Sequence, residues 1–183
     1  MKPRIVGITG AFGSGKTTVT KLFKRLCDCS VIDADKVAKE VLTKKKHEVA
    51  RAFGTSDRKR LAAIVFSDSS ELAKLNRIIH PAVAEEVKKR IKKSNKKLII
   101  LDVPLLFETG MHGLADKVIV VKCSKEKIIK RSRFADAAKR IAMQMPIEKK
   151  LRLADYVIDN NSSLKNTEEQ VKKIFEEIKK DMM

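Results

Sequence analysis

The sequence predicts an α/β protein built on a five-stranded parallel sheet with helices on both faces. Two patterns carry that expectation. Short runs rich in Val and Ile alternate with longer segments whose apolar residues recur at helical spacing, and the runs are nearly free of polar residues, as strands covered on both faces are. The length of 183 residues adds a third observation, since it suits one domain with a sizeable core.

Taken in order, Arg4 to Thr9 is the first strand, and Val19, Leu22, Phe23 and Leu26 mark the helix behind it. Ser30 to Asp33 is the second strand. The long stretch that follows carries helical patterns instead, at Arg60 to Phe66, at Leu72 to Ile79, and at Val83, Val87 and Ile91. Pro81 is expected to break or kink the helix at His80, because the residue before a proline is pushed away from the α region. This stretch, about residues 36–96, reads as a helical insertion packed beside the sheet as one wall of a cleft.

Leu98 to Asp102, Lys117 to Lys122 and Tyr156 to Asp159 are the remaining strands. Near the end, Thr167 to Gln170 has the pattern of a capping box, and Val171, Ile174, Phe175 and Ile178 share one face of a closing amphipathic helix. No internal repeat or low-complexity linker divides the chain, so residues 1–183 are expected to form a single domain.

Composition limits the function classes. Forty-one Lys and Arg against 23 Asp and Glu leave a formal charge of +18, which favours an anionic partner: nucleic acid, acidic lipid or a phosphorylated small molecule. No apolar run approaches the roughly 18 residues of a membrane span. The apolar stretch Ile5 to Ile8 after the basic start is too short for a secretory signal, so a cytoplasmic location and no membrane partner are expected. Cys27, Cys29 and Cys123 show neither zinc-site nor redox spacing and read as reduced thiols. A single Tyr and seven Phe make no stacking platform, and pairs such as Lys88-Lys89, Lys92-Lys93 and Lys172-Lys173 lie opposite or beside apolar positions. They read as solvated helix faces, so nucleic acid is not the expected partner.

The run Gly10 to Thr17 matches G-x-x-x-x-G-K-T between a strand and a helix, the setting that this motif requires. Its glycines let backbone N–H groups turn inward around a polyphosphate, and the helix N-terminus adds partial positive charge. Lys16 would reach the β- and γ-phosphates and the Thr17 hydroxyl would coordinate Mg²⁺. The fold expected is thus the three-layer P-loop fold, and the ligand is ATP or GTP. Acidic residues collect at other strand ends, Asp33 with Asp35, Asp102 and Asp159, where an open parallel sheet presents its ligand site.

At this point the residues resemble the dephospho-CoA kinase family over nearly the whole chain. The resemblance rests on Gly13 to Thr17, Ile32 to Asp35, Asp57 to Leu61, Ile64 to Asp68, Leu75 to Pro81, Asp102 to Glu108, Arg140 to Pro146 and Ala154 to Asn160. It implies transfer of a phosphoryl group from ATP, with Mg²⁺, to the ribose 3′-hydroxyl of dephospho-CoA. It implies ATP binding by Gly10, Gly13, Ser14, Gly15, Lys16, Thr17 and Thr18, with Arg131 and Asn160. Substrate contacts fall to Asp33, His80, Asp102, Leu106 and Glu108.

Each position has its own chemistry. Asp33 is the candidate base for the acceptor hydroxyl, and Asp35 the candidate cap of the next helix. Asp102 suits a Mg²⁺ ligand, direct or through water, and equally a group that orients Asp33 or substrate. Glu108 reads as a substrate contact or a solvated loop carboxylate, and His80 as an acceptor contact or a helix-end polar group. A short lid at about 125–150 would bring Arg131 and Arg140 to the transferring phosphoryl group, with Arg140 in a catalytic role beside Asp33 and Lys16. The segment between Arg131 and Arg140 is shorter than the family pattern. Two alternatives stand beside this reading: another nucleoside or nucleotide kinase of the P-loop class, and a nucleic-acid-binding P-loop ATPase.

Overall fold

The computed structural model describes residues 2–132 and 137–182, apart from the side chains of residues 66, 137, 139 and 140. Five strands, β1 (Arg4–Gly10), β2 (Ser30–Asp33), β3 (Leu98–Asp102), β4 (Lys117–Lys122) and β5 (Tyr156–Asp159), form one parallel sheet in the order β2-β3-β1-β4-β5. The central strand is β1. Its neighbours are in register through Val6 with Ile100 on β3 and Ile8 with Ile119 on β4.

Alternation along the strands makes two apolar faces. Val6, Ile8, Leu98, Ile100, Ile119, Val121 and Ile158 point to one side, where α1 (Lys16–Leu26) and α9 (Leu164–Lys180) cover them with Val19, Leu22, Phe23, Val171, Ile174 and Ile178. Phe23, fully buried, meets Phe175 edge to face at 6.4 Å between centroids. The other side is closed in part by the segment after β3. There Leu106 packs over Gly7, and a Cβ on that glycine would sit 2.9 Å from Leu106 Cδ2. Helices on both faces bury Ile99, Leu101 and Val120 as fully as Ile100, which explains the unbroken apolar runs.

Residues 34–93 form a compact unit of their own, and residues 1–33 with 94–183 form another. The smaller unit contains α2 (Ala34–Lys44), α3 (Lys46–Phe53), α4 (Arg58–Ser67) and α5 (Ser69–Lys93). Its buried residues include Val37, Val41, Val49, Leu61, Val65, Ile79, Val83 and Val87. Asp57 caps α4, its Oδ1 accepting from Lys59 N at 3.1 Å and Arg60 N at 3.0 Å.

Two local expectations are corrected. Helix α5 does not break at His80 but runs through Pro81. An interior proline removes one helical hydrogen bond and costs about 3 kcal/mol. Ile79, Val83 and Val87, four apart on one buried face, contribute roughly 1.5–3 kcal/mol each and outweigh it. The cap of α9 is also earlier than the Thr167 pattern indicates: Ser163 Oγ accepts from Asn166 N at 3.2 Å. Thr167 lies inside the first turn, fully buried.

The remaining helices are α6 (Lys125–Arg131), α7 (Ala137–Ala142) and α8 (Ile147–Arg152). The lid expected over 125–150 includes residues 133–136, which lie outside the described residues. The lysines of the paired runs at 88–89, 92–93, 172–173 and 179–180 are exposed, as their helical phase requires. Among the described residues, no helix is long and apolar enough to cross a membrane.

Candidate active site

The C-terminal ends of the five strands are Gly10, Asp33, Asp102, Lys122 and Asp159. From Gly10 the chain enters the phosphate-binding loop and then α1. Gly10 and Gly15 have φ of 149° and 99°, and neither position has room for a Cβ. At Gly10 that atom would lie 2.2 Å from the Val121 carbonyl oxygen, and at Gly15 2.1 Å from Asn160 Nδ2. Glycine is therefore required by conformation and by contact at both.

No side chain caps α1, and its first turn has no acidic residue, so its N-terminal amides face the loop with their partial charge unopposed. Ser14 is fully buried and, among the described residues, its Oγ has no hydrogen-bond partner, an orphaned polar atom of the kind that marks a ligand site. Lys16 Nζ donates to the carbonyls of Gly10 (3.2 Å) and Ala11 (3.0 Å), folded back along the loop it serves. Thr17 is exposed at the mouth of the loop, and Thr18 N bonds Gly15 O at 2.9 Å as the helix begins.

The loop is braced from β5 and α9. Asn160 Nδ2 donates to Ser14 O at 2.9 Å, while Asn160 Oδ1 accepts from the buried Thr167 hydroxyl at 2.9 Å. Asn160 thus supports the loop backbone from behind. Gln170 clamps the same strand end, accepting from Asp159 N and donating to Asp159 O, both at 2.9 Å. Burial raises the Asp159 carboxyl, but bonds from Asn161 and Lys122 outweigh it and hold the group below its ordinary value.

Asp33 and Asp102 are register partners on β2 and β3, which places two carboxylates side by side at the strand ends. Asp102 Oδ2 accepts from Thr20 Oγ1 of α1 at 3.0 Å, so its orientation is tied to the helix that follows the phosphate loop. Asp35 lies in the first turn of α2 rather than before it. Among the described residues no His, Cys, Asp and Glu cluster forms a protein-only metal site. The donor set nevertheless fits Mg²⁺, which is ordinarily held by one or two carboxylates together with substrate phosphates.

The other sequence-predicted residues are placed as follows. Leu106 is fully buried in the core over Gly7. Glu108 is paired with Lys150 at 2.8 Å and accepts Met145 N at 2.9 Å. Arg131 is exposed in the last turn of α6, and Arg140 lies on α7 with its side chain outside those described. His80 is half-buried in α5, in the other compact unit, and burial pushes its imidazole below the ordinary value.

Several residues of the site were not picked out from the sequence. Gln144 Oε1 accepts Phe12 N of the phosphate loop at 2.8 Å, and Thr9, Thr20, Thr167, Gln170 and Lys150 make the supporting bonds. Helical phase held a signal for one: Lys150 lies three positions after Ile147, on the inward side of α8.

The sequence model for dephospho-CoA kinase matches residues 4–166. The chain belongs to the dephospho-CoA kinase family. A dephospho-CoA kinase from Aquifex aeolicus is 42% identical, with 96% of this chain and 98% of that protein covered. The crystal structure of TT1252 from Thermus thermophilus superposes with a TM-score of 0.85 at 33% identity, covering 97% of this chain and 98% of the other. Dephospho-CoA kinase from Campylobacter jejuni gives 0.73 at 28% identity, with 98% of each chain covered. As a member of the dephospho-CoA kinase family the chain is a P-loop kinase.

Proposed function

We propose that the chain transfers the γ-phosphoryl group of ATP to the ribose 3′-hydroxyl of dephospho-CoA, giving coenzyme A and ADP. The observation that carries the reading is the side-by-side placement of Asp33 and Asp102 at the strand ends beyond which the phosphate loop opens. A polyphosphate entering the loop meets the α1 amides, the Ser14 hydroxyl and Lys16 Nζ, which exchanges the Gly10 and Ala11 carbonyls for β- and γ-phosphate oxygens. Thr17 and Asp102 are the residues that would hold Mg²⁺, which supplies neutralising charge at the phosphates.

Asp33 accepts the proton of the 3′-hydroxyl as its oxygen forms a bond to the γ-phosphorus. The bond from phosphorus to the β–γ bridging oxygen breaks, and ADP leaves. Arg140 and Arg131, from the lid, neutralise charge on the moving group, and Asn160 keeps the loop in shape through Ser14 O. His80 and Glu108 are each assigned to acceptor contacts, and Leu106, packed over Gly7, to support of the strand-end loop that carries Glu108. ATP and dephospho-CoA are the partners, in the cytoplasm, and neither nucleic acid nor membrane is needed.

A coupled ADP-release assay tests this by comparing dephospho-CoA with nucleoside monophosphates as acceptors. Expected is turnover with dephospho-CoA alone; preference for a nucleoside monophosphate would replace this reading with that of a nucleotide kinase.

A further inference from the structure

Among the described residues, Lys150 is the only charged side chain with no solvent exposure at all. In a chain whose other paired lysines sit in water, that calls for partners, because a buried ammonium without them is very costly. It has two. Its Nζ lies 2.8 Å from Glu108 Oε1 and donates to Pro104 O at 2.8 Å.

Each partner is attached a second time. Glu108 Oε1 also accepts Met145 N at 2.9 Å, and Pro104 O also accepts from Thr9 Oγ1 at 3.0 Å, at the end of β1. Gln144, next to Met145, takes the Phe12 amide of the phosphate loop at 2.8 Å. Lys150 is thus the point where three pieces meet: the 144–150 segment, the loop that begins at Asp102, and the strand end that opens into the phosphate loop. Helix α7, which carries Arg140, ends just before this segment.

We propose that Lys150 is a positioning residue for phosphoryl transfer, fixing the 144–150 segment against the phosphate loop and the Asp102 loop. It acts through Pro104, Glu108 and Gln144 rather than on substrate. The proposal rests on the reading of the chain as an ATP-dependent dephospho-CoA kinase. A methionine of similar length fills the same space but leaves the Glu108 carboxylate without its ammonium, which destabilises, whereas neutralising both members of a buried pair together is often near neutral. Methionine cannot hold the Glu108 carboxylate and the Pro104 carbonyl together.

Lys150→Met in the full chain tests this, with ATP sites counted by calorimetric titration so that rates refer to folded protein. Expected is a fall in kcat per site of about tenfold or more, with KM for ATP changed less than about threefold. In the ligand-free variant the Phe12 and Met145 amides exchange with deuterium faster than in wild type. A kcat per site within about twofold of wild type overturns the proposal, and so does unchanged exchange at both amides. If wild type itself fails to turn over dephospho-CoA, the functional reading falls, and the amide exchange alone decides the positioning role. If the single variant does not fold, Lys150→Met with Glu108→Gln is compared with Glu108→Gln alone, because Glu108 is itself assigned to the acceptor: faster exchange of the Phe12 amide and a lower kcat per site in the pair support the role of Lys150, and equal values overturn it.

Discussion

Replacing Gly15 by alanine puts a Cβ 2.1 Å from Asn160 Nδ2, at a backbone φ of 99°. The left-handed conformation costs a non-glycine residue about 1–2 kcal/mol. The contact is relieved only by moving Asn160 away from Ser14 O and from the Thr167 hydroxyl, two hydrogen bonds worth about 1 kcal/mol each. Gly15→Ala should therefore cost about 3–4 kcal/mol and Asn160→Ala about 2 kcal/mol. Once Asn160 is gone the new methyl has space, so the double variant should cost about 3–4 rather than 5–6 kcal/mol. Urea unfolding of the four proteins reads the cycle, and the expected coupling is about 2 kcal/mol. Additivity within about 0.5 kcal/mol would refute the reasoning, because it would mean that Asn160 does not press on the loop.

Three further outcomes are expected. Lys16→Ala should lower turnover roughly 10²–10³-fold in steady-state assays, the loss typical of one charge-stabilising donor. Asp57→Ala removes a cap that serves two amides of α4 and should cost about 1 kcal/mol in denaturant unfolding. Because burial lowers the His80 pKa in the folded state, the unfolded chain binds the extra proton first as pH falls. The stability held by neutral His80 is complete above its unfolded pKa near 6.5 and lost as pH falls through the lower folded value. His80→Gln should flatten that acid-side decline; an identical pH profile in the variant would show that His80 does not drive it.

The sheet was legible because all five strands are short and rich in Val and Ile, and both faces of the sheet are covered, so no polar alternation blurs the pattern. The phosphate loop was legible because its glycines answer to backbone geometry at fixed spacing, which φ at Gly10, Gly13 and Gly15 bears out. Pro81 misled because a local preference yielded to the buried stripe of Ile79, Val83 and Val87. The Thr167 pattern misled because Ser163 caps α9, and the Thr167 hydroxyl, one turn in, donates to Asn160 Oδ1 and Ser163 O and caps no amide.

Lys150 shows the limit most plainly. It stands among charges between Glu148 and Arg152; helical phase marks its inward side, but the partners that hold it there, Pro104 and Glu108, are brought to the ammonium by the fold. Asp33 and Asp102 show the opposite case. Sequence put each at a strand end, and the β2–β3 register makes them neighbours.

The most direct measurement is turnover of dephospho-CoA with ATP by wild type and by Asp33→Asn, with the product phosphate located by ³¹P NMR. Expected are a 3′-phosphomonoester from wild type, and an Asn variant slowed about 10²–10⁴-fold while ATP affinity is kept. Equal turnover by the variant would contradict the role of Asp33, and phosphate at any other position would contradict the proposed reaction.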